Sequence, residues 1–286
     1  PYAHLAGKGA VSQHLSLRYS GQFDRVDDSD LAFVYLPRFK VAPDVMASII
    51  IPTLDKPDLL KACIDSILQK TQFSRYEIVV LDNGSREPET KKYFEQLASD
   101  SLVRVIDAPI PFNWSRLNNI GRHHAKGQVL VFLNNDTVVI SPDWLQRLME
   151  YALLPDIATV GPMLLYPDDT IQHAGVVVGM GGWADHVFKG HPVKHYPSPF
   201  VSSLVPRNVL ANTGACVAIA AEKFDRLGGF DETFEICGSD VELGIRAHQQ
   251  GYLNVYLPTA RLYHLESKTR TPHVPEGDFK QSAVKY

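Results

Sequence analysis

Four short apolar runs, each leading into helical spacing, constrain this chain more than any other feature. "ASIII" (47–51), "YEIVVL" (76–81), "VRVI" (103–106) and "QVLVFL" (128–133) are nearly continuous and rich in β-branched residues, as strands buried on both faces must be. In "DKPDLLKACIDSILQK", Leu60, Cys63, Ile64, Ile67 and Leu68 then recur on one helical face, with Asp55 the expected N-cap and Pro57 in the first turn. "EPETKKYFEQLA" and "WSRLNNIGRHHA" read the same way, and "SPDWLQRLMEYAL" adds a Ser141 N-cap with Pro142 at N1. This alternation predicts an α/β fold with a parallel sheet covered by helices.

After residue 155 the rhythm changes. "TVGPMLLY", "GVVVGMGG" and "ACVAIA" are strand-like with no long helix between them, and a last helix, "SDVELGIRAHQQG", precedes the strand "YLNVYLP". The second half is therefore expected to be mixed and built onto the edge of the first sheet. Residues 1–45 are polar and irregular, ending in "YLPRFKVAPDV", which reads as an arm or linker. One domain of 286 residues fits the length, and no internal repeat is visible. The chain opens without an initiator Met or a signal-peptide pattern, so a piece of a longer protein is expected.

Charge and cysteines exclude several classes. A net charge of -4 gives no general affinity for nucleic acid. No apolar window reaches the roughly 18 residues that span a bilayer. Cys63, Cys216 and Cys237 are widely spaced with no C-x-x-C, against both a disulfide framework and a zinc knuckle. "GMGGWA" (179–184) formally matches a dinucleotide fingerprint, but no amphipathic helix follows, and no Asp or Glu occurs between Asp185 and Glu222. That acid-free stretch, with Lys189, Lys194 and Arg207, is open to an anionic ligand or to plain solvation.

In an open α/β sheet, ligands bind beyond the carboxyl ends of the parallel strands. Three such ends carry polar groups: Pro52-Thr53-Leu54-Asp55, Asp82-Asn83-Gly84-Ser85 and Asn134-Asn135-Asp136. Asp82 is suited to a base N–H or a ribose hydroxyl, or else to a strand-end turn. Asp136 is able to hold a hard cation, or to cap the following segment. Asp240 and Glu242 start a helix, where carboxylates are stabilised by free N–H groups. One of them is a candidate general base, and only one can face the site because residues two apart diverge by about 200°. His264 is either a core histidine or a metal ligand, and Lys268 and Arg270 are placed to close over a phosphate.

These stretches together resemble the inverting glycosyltransferases of family 2, with the GT-A fold. "SIIIPTLDKPDLLKACIDSIL", "YEIVVLDNGS", "FNWSRLNNIG", "GQVLVFLNNDTVVISPDWL", "IQHAGVVVG", "TGACVAIAAEKFDRLGGFDETF", "GSDVELGIRAHQQGY" and "LYHLESKTR" occur in that family's order over about residues 46–271. The likeness is to the bacterial rhamnosyltransferase-like branch that builds O-antigen and other surface polysaccharides. It implies a GT-A, Rossmann-like, mostly parallel sheet, a 46–271 catalytic domain and a 272–286 tail.

The resemblance assigns roles by position. Pro52, Thr53, Asp55, Asp82, Asn83 and Asn118 fall on the donor nucleotide-sugar side. Asn134-Asn135-Asp136 matches the D-x-D element, with Asp136 and His264 on a Mg²⁺ or Mn²⁺ ion and Lys268 and Arg270 over the diphosphate. Asp240 matches the general base, while Asn212, Thr213, Gly214, Glu242 and Trp183 fall on the acceptor side. Asn134 replaces the first acid of D-x-D and Ser239 replaces the acid of the E-D pair. The expected activity moves a sugar from dTDP-rhamnose or a UDP-sugar to a glycan or lipid-linked glycan. Such an enzyme is expected in the cytoplasm, in contact with other domains of a longer chain or with the membrane surface. The alternative is a catalytically degenerate scaffold module of the same fold. A sugar-nucleotide pyrophosphorylase would need a glycine-rich loop where "PTLDKPD" has none.

Overall fold

The structure is a computed structural model describing residues 2–194, 202–265 and 274–286. The elements are α1 (Tyr2–Arg18), β1 (Phe23–Asp28), β2 (Tyr35–Phe39), β3 (Ala47–Thr53), α2 (Pro57–Lys70), β4 (Tyr76–Asp82), α3 (Pro88–Leu97), β5 (Val103–Asp107) and α4 (Trp114–His124). They continue through β6 (Val129–Leu133), β7 (Thr137–Val139), α5 (Trp144–Ala152), β8 (Ile157–Leu165), β9 (Ile171–His173), β10 (Val176–Val178), β11 (Ala184–His186) and β12 (Arg207–Val209). Last come β13 (Cys216–Ala220), α6 (Ala221–Leu227), α7 (Ser239–Gln249), β14 (Leu253–His264) and α8 (Glu276–Lys285).

The central sheet runs in the order β12-β14-β8-β13-β6-β3-β4-β5. From β6 to β5 its neighbours are parallel, and β13 enters antiparallel between β6 and β8. The expected parallel first half and mixed second half are both present. The continuous apolar runs follow from coverage on two faces. Ile49 and Ile51 of β3 pack with Leu60, Ile64 and Trp144 under α2 and α5, while Ile50 packs with Leu117, Phe132 and Phe224 under α4 and α6. Each fully buried aliphatic side chain contributes about 1.5–3 kcal/mol through area removed from water.

Several local expectations change. Asp55 does not cap α2: Asp55 and Lys56 both take left-handed backbone angles (φ 50° and 55°), and Asp55 Oδ1 instead accepts from the N–H groups of Arg86 and Glu87 at the start of α3. Ser141 is likewise not the N-cap; α5 begins at Trp144, with Ser141 offering only its carbonyl. "GMGG" forms a tight turn between β10 and β11, two antiparallel strands after which β12 is the next element among the described residues.

Residues 1–45 are not irregular. The β1–β2 hairpin docks on α5, where the Arg38 guanidinium meets both carboxylate oxygens of Glu150 at 2.9 and 2.6 Å, and α1 packs against β1. Tyr19 donates its hydroxyl to Asp156, and the Phe39 ring stands edge-on to Tyr151. A further helix, α8, occupies the C-terminal tail. No helix among the described residues is long and apolar enough to cross a membrane.

Candidate active site

The three polar strand ends lie side by side because β3, β4 and β6 are sheet neighbours. Thr53 sits opposite Asp82 in the register, and Asn135 Nδ2 donates to Thr53 Oγ1 at 2.9 Å across to the third strand end. Asp82 Oδ1 accepts from Ser85 N–H at 2.8 Å, and Ser85 Oγ accepts from Asp55 N–H at 2.8 Å. Asn83 Nδ2 donates to the carbonyls of Ala108 and Ile110, so that amide braces the loop after β5. Beside them opens a cleft of about 410 Å³ lined by Asp82, Gly84, Ser85, Phe94, Asp107 and Pro109. A flat ring can lie against Phe94 and Pro109 while the remaining lone pairs of Asp82 accept its N–H groups. Asp107, Phe94 and Pro109 were invisible as site residues in the sequence, since the β4–β5 pairing sets Asp107 opposite Asp82 and Phe94 arrives from α3.

Asp136 and His264 meet through strand pairing. β7 pairs antiparallel with the end of β14, with His264 opposite Thr137, and Leu265 N–H bonds to the Asp136 carbonyl. Asp136 Oδ1 therefore lies 3.2 Å from His264 Nε2, with both side chains under a tenth exposed. Adjacent ligands of an octahedral ion with bonds of about 2.1 Å are about 3.0 Å apart, so the pair fits a divalent cation. His264 Nδ1 is buried with no hydrogen-bond partner among the described residues. No cluster of three or more His, Cys, Asp or Glu that could hold a metal occurs among the described residues. An ion here would complete its shell with ligand oxygens or water.

Asn134 is oriented by a residue that sequence reasoning passed over. Trp114 Nε1 donates to Asn134 Oδ1 at 3.2 Å, and the Asn134 amide nitrogen lies 3.5 Å from His264 Nε2. The same indole explains Gly214: a Cβ there would fall 2.6 Å from the Trp114 ring. Gly214 N–H in turn donates to Asp240 Oδ2 at 2.7 Å, and Asp240 Oδ1 accepts from Val241 N–H at 2.9 Å. Asp240 is half-buried and keeps two of its four lone-pair positions. The carboxylate is thus fixed at the start of α7 with capacity left to take a proton.

Other expected residues fall elsewhere. Glu242 places both oxygens on Arg246, at 3.0 and 2.5 Å, one turn along α7. The i,i+4 pairing draws it away from Asp240, as their angular separation requires. Asn118 is fully enclosed in α4 and donates to the Trp114 carbonyl. Asn212 is buried and donates to Thr159 Oγ1 and the Val255 carbonyl, so it braces the strand beneath Thr213 and Gly214. Thr213 is buried beside it. Trp183 lies in the β10–β11 turn with its ring against Phe279 of α8, centroids 3.9 Å apart. Pro52 lies within β3 opposite Leu81. Lys268 and Arg270 lie outside the described residues.

Residues 48–189 match the family described as Glycosyl transferase family 2. This chain is a family 2 glycosyltransferase domain. The glycosyltransferase is 41% identical over 285 residues to the O-antigen biosynthesis protein RfbC of Myxococcus xanthus, covering 99% of this chain and 22% of that protein. It therefore spans about a fifth of that relative's length. Solved structures share its fold. A crystal structure of GalNAc-T7 with UDP, GalNAc and Mn²⁺ superposes at TM-score 0.67 with 19% identity, covering 96% of this chain and 53% of that one. The mannosyltransferase PcManGT from Pyrobaculum calidifontis, in complex with GDP-Man and Mn²⁺, gives 0.57 with 17% identity, covering 93% and 67%. The glycosyltransferase has the GT-A fold, a mixed sheet flanked by helices.

Proposed function

We propose that this domain is a metal-dependent inverting glycosyltransferase that moves a sugar from a nucleoside-diphosphate donor to a hydroxyl of a growing bacterial surface glycan. The observation that carries the reading is the buried Asp136–His264 pair, 3.2 Å apart beside the aligned strand ends. A carboxylate and an imidazole set that close in a crevice suit a hard divalent ion, Mg²⁺ or Mn²⁺. When bound, such an ion supplies Lewis-acid stabilisation of the diphosphate leaving group.

The chain's own residues do the rest. The cleft at Asp82 takes the base, with Thr53 and Asn135 bridging the strand ends beneath the ribose and phosphates. Asn134, held by Trp114, faces the sugar-diphosphate junction. Asp240 accepts the proton of the acceptor hydroxyl as that oxygen bonds to the anomeric carbon from the face opposite the leaving group. The bond from that carbon to the diphosphate oxygen breaks in the same displacement, inverting the configuration. Thr213, Gly214 and Trp183 form the acceptor side, with Asn212 bracing it from beneath, and the family resemblance assigns Lys268 and Arg270, outside the described residues, to the diphosphate.

Kinship with an O-antigen biosynthesis protein supports a lipid-linked or growing surface glycan as acceptor and a cytoplasmic site of action. The donor is dTDP-rhamnose or a UDP-sugar, and residues 46–271 form the catalytic domain of a longer assembly. Thermal-shift screening of nucleotide sugars, each with and without Mn²⁺, tests this. One donor is expected to stabilise the chain only when the ion is present, and stabilisation indifferent to the ion would count against it.

A further inference from the structure

The loop that leads to Asp240 is held from both sides. α4 takes its carbonyls: Trp114 N–H donates to Glu235 O at 2.7 Å and Ser115 Oγ to Phe234 O at 2.9 Å. The N–H side is taken by one residue from the end of the chain. Asp278, in the first turn of α8 and fully enclosed, accepts from Glu235 N–H through Oδ1 at 2.7 Å, and from Ile236 and Cys237 N–H through Oδ2 at 2.8 and 2.9 Å. A buried carboxylate is costly unless its lone pairs are engaged, and here three consecutive backbone amides engage them.

Those amides end immediately before Gly238, the left-handed N-cap of α7 (φ 105°). A Cβ at Gly238 would lie 2.7 Å from the Phe234 ring and 2.9 Å from the Tyr286 hydroxyl, so the turn has no slack. α8 makes two further contacts, one to the start of that loop and one to the β10–β11 turn. Lys285 pairs with Asp231 at 3.0 Å, and Phe279 meets Trp183.

We propose that Asp278 is a positioning residue for Asp240, its carboxylate fixing residues 235–237 so that the start of α7 presents Asp240 to the Gly214 amide and the acceptor. α8 is then a working part of the acceptor side, although it lies beyond the matched family segment. The proposal rests on Asp240 acting as the base. Loss of the carboxylate frees three amides, and a displacement of about 1 Å at a reacting group costs about 100-fold in rate.

The test compares the unmodified chain with Asp278→Asn, Asp278→Glu and Asp240→Asn. Amide exchange at 235–237, binding of UDP with Mn²⁺, and turnover of UDP-glucose, UDP-GlcNAc and dTDP-rhamnose against octyl glycosides are measured for each. In the unmodified chain those amides should exchange as slowly as the interior of α7; loop-like exchange overturns the proposal without any variant. Asp278→Asn should exchange faster and keep UDP affinity within about twofold, while kcat falls about 100-fold and acceptor KM changes little. Asp278→Glu, which retains a carboxylate, should recover part of kcat and still reports if the Asn variant does not fold. Native kcat in Asp278→Asn with Asp240→Asn inactive overturns the proposal alone. Full transfer by Asp240→Asn instead removes the base assignment beneath it.

Discussion

Asp136 Oδ1 and His264 Nε2 stand 3.2 Å apart in a buried crevice, Asp136 just before β7 and His264 at the end of β14, strands that pair directly with each other. Two protein ligands leave most of a cation's shell open, so ion and nucleotide should bind together. Asp136→Asn and His264→Ala are each expected to abolish the stabilisation that UDP with Mn²⁺ gives the unmodified chain. At a hundredfold excess over Kd that stabilisation is roughly 5–10 °C in Tm. Mn²⁺ alone should shift Tm far less than Mn²⁺ with UDP, and an equal shift would mean that the ion binds without the diphosphate.

Trp114 works through two contacts of different kinds. Trp114→Phe keeps most of the ring but removes the N–H that orients Asn134, which should weaken donor binding about fivefold, the worth of one ordinary hydrogen bond. Gly214→Ala brings a methyl to 2.6 Å from the indole. Overpacking of that sort should cost about 1–3 kcal/mol in urea denaturation, and an unchanged midpoint would show that the indole gives way freely.

The Arg38–Glu150 ion pair makes the N-terminal arm part of the folded unit. Glu150 lowers the energy of the charged guanidinium and raises the Arg38 pKa well above its ordinary value. Glu150→Ala leaves a nearly enclosed cation with only Asp27, at 3.2 Å, to face among the described acids and should cost up to about 3 kcal/mol, the low end for a broken buried pair. Replacing both members by apolar residues, Arg38→Met with Glu150→Leu, should restore most of that. If the single variant is as stable as the parent, the arm is not coupled to the domain.

Glu77 should shape acid unfolding. Burial pushes its carboxyl pKa up, but hydrogen bonds from Ser48 Oγ, Lys126 N–H and Arg104 outweigh that and leave it below the ordinary value. The unfolded chain then takes up this proton at higher pH than the folded one, so the contribution is complete above the ordinary glutamate range and is lost as pH falls through the folded value. Glu77→Gln should flatten the stability–pH curve below about pH 4.5. Parallel curves for the two proteins would refute this.

The parallel half of the sheet was legible because double-sided burial writes itself as runs such as Ile49–Ile51 and Val129–Leu133. The polar strand ends, Asp136, Asp240 and His264 were legible as residue types and as positions in a family pattern. Their mutual distances were not, since Asp136 meets His264 only through the β7–β14 pairing. Trp114 was hidden for the opposite reason: an aromatic at a helix start reads as core, and only its indole N–H betrays the Asn134 contact. The arm was misread because α1 contains Gly7 and Gly9 and buries no residue, while β1 is "FDRVDD", too polar to read as a strand. Glu242 was assigned toward the site because a sequence cannot say which carboxylate Arg246 will claim.

β14 reaches His264 by an unequal path. Its partner β8 runs on from Pro162 to Met163 while β14 passes from Leu257 to Arg261, so Pro258, Thr259 and Ala260 have no counterparts in the ladder. Side chains alternate faces with every strand residue, and adding or deleting one residue beyond that excursion would turn His264 away from Asp136. Exchange of one apolar residue for another along these strands leaves that geometry intact, whereas a change in the number of residues between the excursion and His264 does not. Across homologues, insertions and deletions should be rarer in residues 261–264 than substitutions there, a constraint on spacing that no comparison of residue types would show.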